Sequence, residues 1–483
     1  MTNHSVRTAN QTAEDIRSGK TTAVQVLDEL IARIEKYNPG LNAIITLDIE
    51  NARRRAKEAD AALSQGQTWG PLHGVPITIK DAFETAGMRT VSGYPPFANH
   101  IPHDDAPPVA RLRQAGAIIL GKTNLPTLAS GIQSNNPVFG RTNNPWDVGR
   151  TPGGSSGGAA AAISAGLSYL ELGSDIGGSI RIPSHFCGVY GLKATGGRVT
   201  GKGHLASPKQ LVLPPGWEAL LQLASMGPIA RSIDDLRLSL SIIAEPTTPP
   251  LEPKPKRAIS DLHVAWTDDF GGVPLTEDSR KLMHDLAAAL QRAGCHVEKH
   301  DTANFDYQEA WNISGTCLGA INTQFQSRFT QWMRRVSAPF LSRGTPRESL
   351  MQGLYAGMSA NTQRVNETLK RRERLIDQLE SFLGTWDVCL CPVFPSPAFT
   401  HQAPNAPIEV DDKQMPQLSA NLLHSIIFNL TGSPVVTIPI GQSSHGLPIG
   451  IQVVGRRWQE MALLNVAEQI AAVTPGYQEP PGY

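Results

Sequence analysis

The chain carries no surplus of charge: 43 lysines and arginines stand against 43 aspartates and glutamates in 483 residues. A nucleic-acid partner calls for a basic face to neutralise phosphates, so none is expected here. No run of 18 apolar residues occurs, and Met1 to Lys20 is polar, with charges of both signs and no apolar centre. Neither a membrane span nor an export signal is therefore expected. Cysteine is scarce. Five residues (Cys187, Cys295, Cys317, Cys389 and Cys391) are too few and too scattered for a disulfide framework, which points to free thiols and a reducing, cytoplasmic setting. Cys389 and Cys391 share the apolar run Asp387-Val-Cys-Leu-Cys-Pro-Val with no second cysteine pair nearby, which reads as a buried strand rather than a metal site. His100-Ile-Pro-His103-Asp-Asp105 is the one cluster resembling a metal site, but Pro102 breaks any helix that would align its ligands. No metal or other cofactor is expected.

What is present is a globular composition, 40% hydrophobic and 18% charged, enough to bury a large core. Val24, Leu27, Leu30, Ile31 and Ile34 recur at three- and four-residue steps, followed by an Ala/Arg/Glu-rich stretch from Asp48 to Leu63. Residues 1–65 thus read as a helical N-terminal region. Over 66–200, short apolar runs (Val75 to Ile79, Ala117 to Leu120) alternate with glycine-rich turns and an alanine-rich segment, Ala159 to Ala165, which predicts an α/β layer. A variable region, 201–385, contains a proline-rich linker, 245–256. After it come a strand (Leu262 to Trp266), a helix N-capped by Thr276 and ended by Gly294, and a strand (Cys295 to Glu298). Asp306 to Glu380 reads as helical, with Trp311, Phe325, Phe329, Trp332, Met333, Phe340 and Tyr355 as an apolar stripe, which is more often core than substrate pocket. Residues 386–483 return to β-type runs, Val435 to Ile440 and Gly450 to Val454, before a helix from Gln459 to Ala472. There is no internal repeat.

Two serine-bearing glycine clusters stand out: Gly153-Gly-Ser-Ser-Gly-Gly158 and Gly173-Ser-Asp-Ile-Gly-Gly-Ser-Ile-Arg181. Neither has the lysine of a phosphate-binding loop, and neither is a Rossmann fingerprint. Gly153-Gly-Ser155-Ser-Gly157 fits the elbow of an α/β-hydrolase, but Asn143 to Pro152 is not the apolar strand that should precede it. Tight turns without chemistry are the bland alternative. The chemical reading is a backbone-lined site. N–H groups of Ile176, Gly177, Gly178 and Ser179 would converge on one oxygen, with the Ser179 hydroxyl beside the carbon under attack. Lys80, at the end of the apolar run Gly74-Val-Pro-Ile-Thr-Ile-Lys-Asp81, is a candidate base, because desolvation favours the neutral amine. Thirteen histidines could supply a base instead, although His73 and His185 read as structural.

These motifs bear a resemblance to the amidase signature family. It is carried by Pro71-Leu-His-Gly-Val-Pro-Ile-Thr-Ile-Lys-Asp81, Gly121-Lys-Thr-Asn124 and the two glycine clusters through Pro183. It continues more loosely into Asn429-Leu-Thr-Gly-Ser-Pro434 and Gly446-Leu-Pro-Ile-Gly-Ile-Gln452. The resemblance implies a single α/β domain with a large twisted mixed β-sheet covered by helices on both faces. It implies a Ser–Ser–Lys triad: Ser179 as nucleophile, Ser155 (after a cis peptide in the family) as proton relay, and Lys80 as base. Asp175, Arg181 and Ser156 would support the loop. The activity implied is hydrolysis of a carboxylic amide through an acyl-enzyme, with side activity on esters or carbamates.

The family spans free-standing amidases, fatty-acid amide, indoleacetamide, aryl-acylamide and carbamate hydrolases, and the glutamine-hydrolysing member of the glutamyl-tRNA amidotransferase, which passes ammonia to a partner. The acidic residue that in that member meets the glutamine α-amino group aligns with Leu422, inside the apolar run Leu422 to Leu430. The segment Pro208-Lys-Gln-Leu-Val-Leu-Pro-Pro-Gly216 also departs from the amidotransferase pattern. Both favour a small-molecule amide with an apolar or aryl part, its pocket lined from the stretch between Asp306 and Tyr355. A non-catalytic amide-binding relative should lack a triad member, and all three are here. Zero net charge neither forbids nor requires a homodimer.

Overall fold

The computed structural model describes residues 7–204, 214–300, 305–323 and 348–483. Phe325, Phe329, Trp332, Met333, Phe340 and most of Pro208 to Gly216 lie outside them. The short apolar runs form strands: β1 (Ile44–Leu47), β2 (Pro76–Lys80), β3 (Ile118–Thr123), the two-residue pair β4 (Asn135–Asn136) and β5 (Gly140–Arg141), β6 (Glu171–Asp175), β7 (Tyr190–Lys193), β8 (Ser225–Ala230), β9 (His263–Trp266), β10 (His296–Lys299), β11 (Val388–Pro392), the pair β12 (Ile408–Val410) and β13 (Lys413–Met415), β14 (Val435–Gln442) and β15 (Pro448–Val454). Eleven of them make one sheet in the order β1-β3-β2-β6-β8-β7-β14-β15-β11-β9-β10. Within it β2 runs parallel to β3 and β6, and β9 parallel to β10 and β11. The other neighbours are antiparallel.

Successive strand residues face opposite sides of a sheet, and here each side has its own apolar cluster. Val264 and Trp266 of β9 join one cluster and Ala265 the other. Val388 and Leu390 of β11 divide from Cys389 and Cys391 in the same way. Both faces are therefore covered, and the fold is a mixed α/β sheet of the kind the motifs imply. The two cysteines lie in a buried strand. The proline-rich segment runs exposed between β8 and β9, outside helices and strands, yet strands from before and after it share the sheet.

The described part of the N-terminal region, residues 7–65, is mainly helical and includes one strand. The helices Ala9–Arg17 and Ala23–Leu41 start at capping boxes, Thr8 with Gln11 and Thr22 with Gln25, and Ile49–Ser64 follows. Between the last two, Ile44–Leu47 is a strand, antiparallel to β3; four residues are too few to show a period, and pairing at the edge of β3 decides their conformation. Thr276 does precede the helix Glu277–Arg292, but its hydroxyl meets that of Ser279 at 2.9 Å and not a backbone N–H. The expected helical stretch after Asp306 is present as Tyr307–Thr323, Glu348–Met358 and Thr362–Thr385. The first two cross at Gly315, Gly319, Gly353 and Gly357, where a Cβ would stand 2.0 to 2.2 Å from a carbonyl oxygen of the opposite helix. No helix among the described residues is long and apolar enough to cross a membrane.

Candidate active site

Alternation along β2 sends Ile77 and Ile79 into the larger apolar cluster and Lys80 to the opposite face. The Lys80 side chain is fully buried. Its Nζ lies within hydrogen-bond distance of three hydroxyls: Ser155 at 2.7 Å, Ser156 at 2.9 Å and Ser174 at 2.9 Å. Burial brings the Lys80 pKa down to about 7, against the opposing pull of Asp175 and Glu171. Neutral amine is thus available near neutral pH, as a base requires.

Ser155 and Ser156 sit just before the helix Gly157–Ser164, and the Gly154–Ser155 peptide is cis. Ser134 Oγ steadies this turn, donating to the Gly153 carbonyl (3.0 Å) and accepting from the Gly157 N–H (3.1 Å). The Ser156 N–H donates to the Ser179 carbonyl at 3.1 Å, which joins the two glycine clusters through their backbones. Ser156 thus touches the Lys80 amine itself and does more than hold a loop.

The second cluster wraps around Asp175. Its carboxylate accepts from the N–H groups of Gly178 (2.9 Å) and Ile180 (3.0 Å) and from Arg181 Nε (3.0 Å) and Nη2 (2.8 Å). Burial alone would raise the Asp175 pKa, but the Arg181 guanidinium holds it well below the usual carboxylate range. Arg181 also reaches the Ser425 carbonyl (2.9 Å), Gln452 Oε1 (2.6 Å) and Asn429 Oδ1 (2.6 Å). The tight curl needs Gly178 at φ +104°, a conformation open to glycine. Because Asp175 takes the Gly178 N–H, the expected set of four oxyanion donors narrows to three. Among the described residues nothing accepts from the N–H groups of Ile176, Gly177 and Ser179.

Ile176 and Ser179 are partly exposed, whereas Lys80 and Ser155 are buried. The nucleophile candidate thus opens outward and the base candidate lies behind it. The hydroxyls of Ser155 and Ser179 are not hydrogen-bonded to each other; in unliganded sites such bonds are commonly long. Over the loop lies the segment Leu422–Ile426. A Cβ on Gly177 would meet Leu422 Cδ2 at 2.6 Å and Ile426 Cδ1 at 3.7 Å, so that side of the loop is apolar, while Ser425 Oγ donates to the Gly177 carbonyl at 2.8 Å. Trp311, on the helix Tyr307–Thr323, braces this segment by donating to the Leu423 carbonyl at 3.1 Å.

Several site residues escape the sequence reading. Ser174 lies inside a cluster already singled out, but strand periodicity does not reveal that its hydroxyl meets Lys80. His204 Nε2 lies 2.8 Å from Ser174 Oγ, a contact between distant segments. Glu171 is a lone charge in an otherwise uncharged run, which is a readable signal of a special environment. It is fully buried, accepts from the hydroxyls of Thr123 (2.6 Å) and Thr78, and burial pushes its pKa up to about 8. The two histidines read as structural bond backbone groups: His73 accepts the Trp69 N–H, and His185 sits between Ser396 and Gly450. Around His100 and His103, Asp105 is taken by the Ala86 N–H and Arg113. Among the described residues no group of three or more metal-ligating side chains converges.

Comparison with known proteins places the chain among amidases and their relatives. A family model described as Amidase matches residues 25–464. The A-type subunit of the glutamyl-tRNA(Gln) amidotransferase of Picosynechococcus sp. is 32% identical, over 99% of each chain. An acylamidase of Rhodococcus erythropolis is 30% identical, over 98% of this chain and 96% of the other. Among solved structures, a crystal structure of an amidase superposes with a TM-score of 0.78 at 28% identity, covering 97% of this chain and all of that one.

Proposed function

The chain belongs to the amidase family, and from that premise we propose that it hydrolyses the C–N bond of a small-molecule carboxylic amide through an acyl-enzyme on Ser179. The observation that carries the reading is Lys80 Nζ, buried, 2.7 Å from Ser155 Oγ and without an acidic partner in salt-bridge contact among the described residues. Neutral Lys80 takes the Ser155 proton as Ser155 takes the Ser179 proton, since a hydroxyl can accept and donate at once. Ser179 Oγ then bonds to the amide carbon. The N–H groups of Ile176, Gly177 and Ser179 face the developing oxyanion, each such donor being worth about 3 kcal/mol in comparable sites. The proton returns along the relay to the amine as the C–N bond breaks. Water, deprotonated by the same relay, releases the acid.

For the substrate we favour an amide with an apolar or aryl group. Leu422 and Ile426 stand against the Gly177 loop, and an ammonium group there would have no counter-charge from them. The Rhodococcus acylamidase, 30% identical over almost the whole chain, supports this reading by its name. A second reading has its own support in the 32% identity to the Picosynechococcus amidotransferase chain: glutamine as substrate, with ammonia passed to a partner. The test is product release by wild type and Ser179→Ala over aliphatic amides, aryl anilides, long-chain amides, indoleacetamide, carbamates, esters and glutamine. Turnover of apolar amides that disappears in the variant is the expected result. Reaction with glutamine alone, or none without an added protein, would replace the first reading with the second.

A further inference from the structure

A neutral lysine amine has two N–H donors and a single lone pair, and the three hydroxyls around Lys80 Nζ use all three positions. To act as base it must spend its lone pair on Ser155, so Ser156 and Ser174 must both accept. That requires their own hydroxyl protons to point elsewhere. Ser156 has such an outlet, donating to the Ser174 carbonyl at 3.4 Å. Ser174 has one in His204, whose Nε2 lies 2.8 Å from Ser174 Oγ.

The imidazole is held for this contact. His204 forms an antiparallel bridge with Phe83, three residues beyond Lys80, and its ring meets the Phe83 ring edge-on at 4.9 Å. The Glu84 N–H donates to the Gly203 carbonyl at 2.8 Å. The segment carrying His204 is thus tied to the chain just past the base. Desolvation, reinforced by the Lys80 charge, holds the His204 pKa down to about 3, so the ring is neutral and one nitrogen is an acceptor.

We infer that His204 is a positioning residue: with its proton on Nδ1, its Nε2 accepts the Ser174 hydroxyl and so leaves the Lys80 lone pair free for Ser155. In the opposite tautomer Nε2–H would donate to Ser174, whose hydroxyl would turn on Lys80 and occupy that lone pair. The inference rests on the Ser179–Ser155–Lys80 reading above, and its test does not require the amide substrate to be known.

The experiment follows the rate at which a fluorophosphonate labels Ser179. The Ser179 Oγ–P bond forms, the P–F bond breaks, fluoride leaves, and the hydroxyl proton passes through Ser155 to Lys80. His204→Phe and Ser174→Ala should each slow labelling by roughly 10- to 100-fold, the loss of about one or two hydrogen bonds' worth of alignment. The double variant should be no slower than the slower single one. His204→Gln, whose amide oxygen can accept from Ser174, and Ser174→Thr, which keeps the hydroxyl, should label within about threefold of wild type, on the same free-energy scale. Thermal unfolding midpoints identify variants that are slow because they do not fold, and the Gln and Thr pair then carries the test. Losses that multiply in the double variant, a His204→Phe enzyme labelled at the wild-type rate, or Gln and Thr variants as slow as Phe and Ala would overturn the inference. Wild type that is not labelled at Ser179 at all would instead overturn the reading on which it rests.

Discussion

Arg181 and Asp175 form an ion pair at 2.8 Å with both side chains fully buried, and the same carboxylate holds the backbone of Gly178 and Ile180 on either side of Ser179. Removing one partner leaves a buried charge uncompensated, at a cost of about 3–5 kcal/mol. Arg181→Ala is therefore expected to lower stability by that order and abolish probe labelling of Ser179, as followed by denaturant unfolding and mass spectrometry. An Arg181→Ala protein with wild-type labelling would show that the pair does not shape the loop.

On the proposed mechanism, protonation of Lys80 removes the base. Because its pKa is brought down to about 7, kcat/KM on any amide substrate should be flat above that pH and fall about tenfold per unit below it. Lys80→Ala should lose most of the rate and this acid limb together. Retention of the limb in the variant would mean that another group titrates there.

Gly177 and Leu422 cannot both be larger. A methyl at Gly177 would lie 2.6 Å from Leu422 Cδ2, so Gly177→Ala should depress turnover by displacing the loop or the Leu422 side chain. Gly177→Ala with Leu422→Ala should recover a good part of it. A double variant no better than the single would place the damage in the backbone of the loop instead.

The crossing helices make a stability prediction. A Cβ at Gly353 would lie 2.0 Å from the Asn312 carbonyl oxygen, backbone against backbone, with no rotamer to relieve it. Gly353→Ala should lower Tm by several degrees, since one kcal/mol shifts the midpoint of a large domain by roughly 2–4 °C. An unchanged Tm would mean that the helices separate at little cost.

Much of the candidate site is readable from the sequence because its parts are local. Glycine density marks the two loops, and an apolar run ending in Lys80 marks a buried lysine. The strands of the sheet are legible for the same reason, since Val388 to Pro392 or Val435 to Ile440 leave few alternatives to a buried strand. What is not legible depends on contacts across the fold. His204 reaches Ser174, Asn429 reaches Asp175 at 3.0 Å, and no spacing in the chain encodes either meeting. The N–H of Gly178 is free on paper, and only the fold brings the carboxylate three residues earlier back onto it. Ile44–Leu47 is a strand because β3 offers it an edge.

The strand order carries a consequence for biosynthesis. β14 and β15, at residues 435–454, lie in the middle of the sheet and join β7 on one side to β11 on the other. While the chain emerges from the ribosome, the portions before and after the proline-rich segment can each pair their own strands, but the seam between them stays open until the last fifty residues appear. Two unpaired strand edges are exposed in that interval, and such edges recruit other chains. Ribosome-bound intermediates stalled before residue 435 should therefore depend on chaperones, and chains truncated there should accumulate as insoluble material.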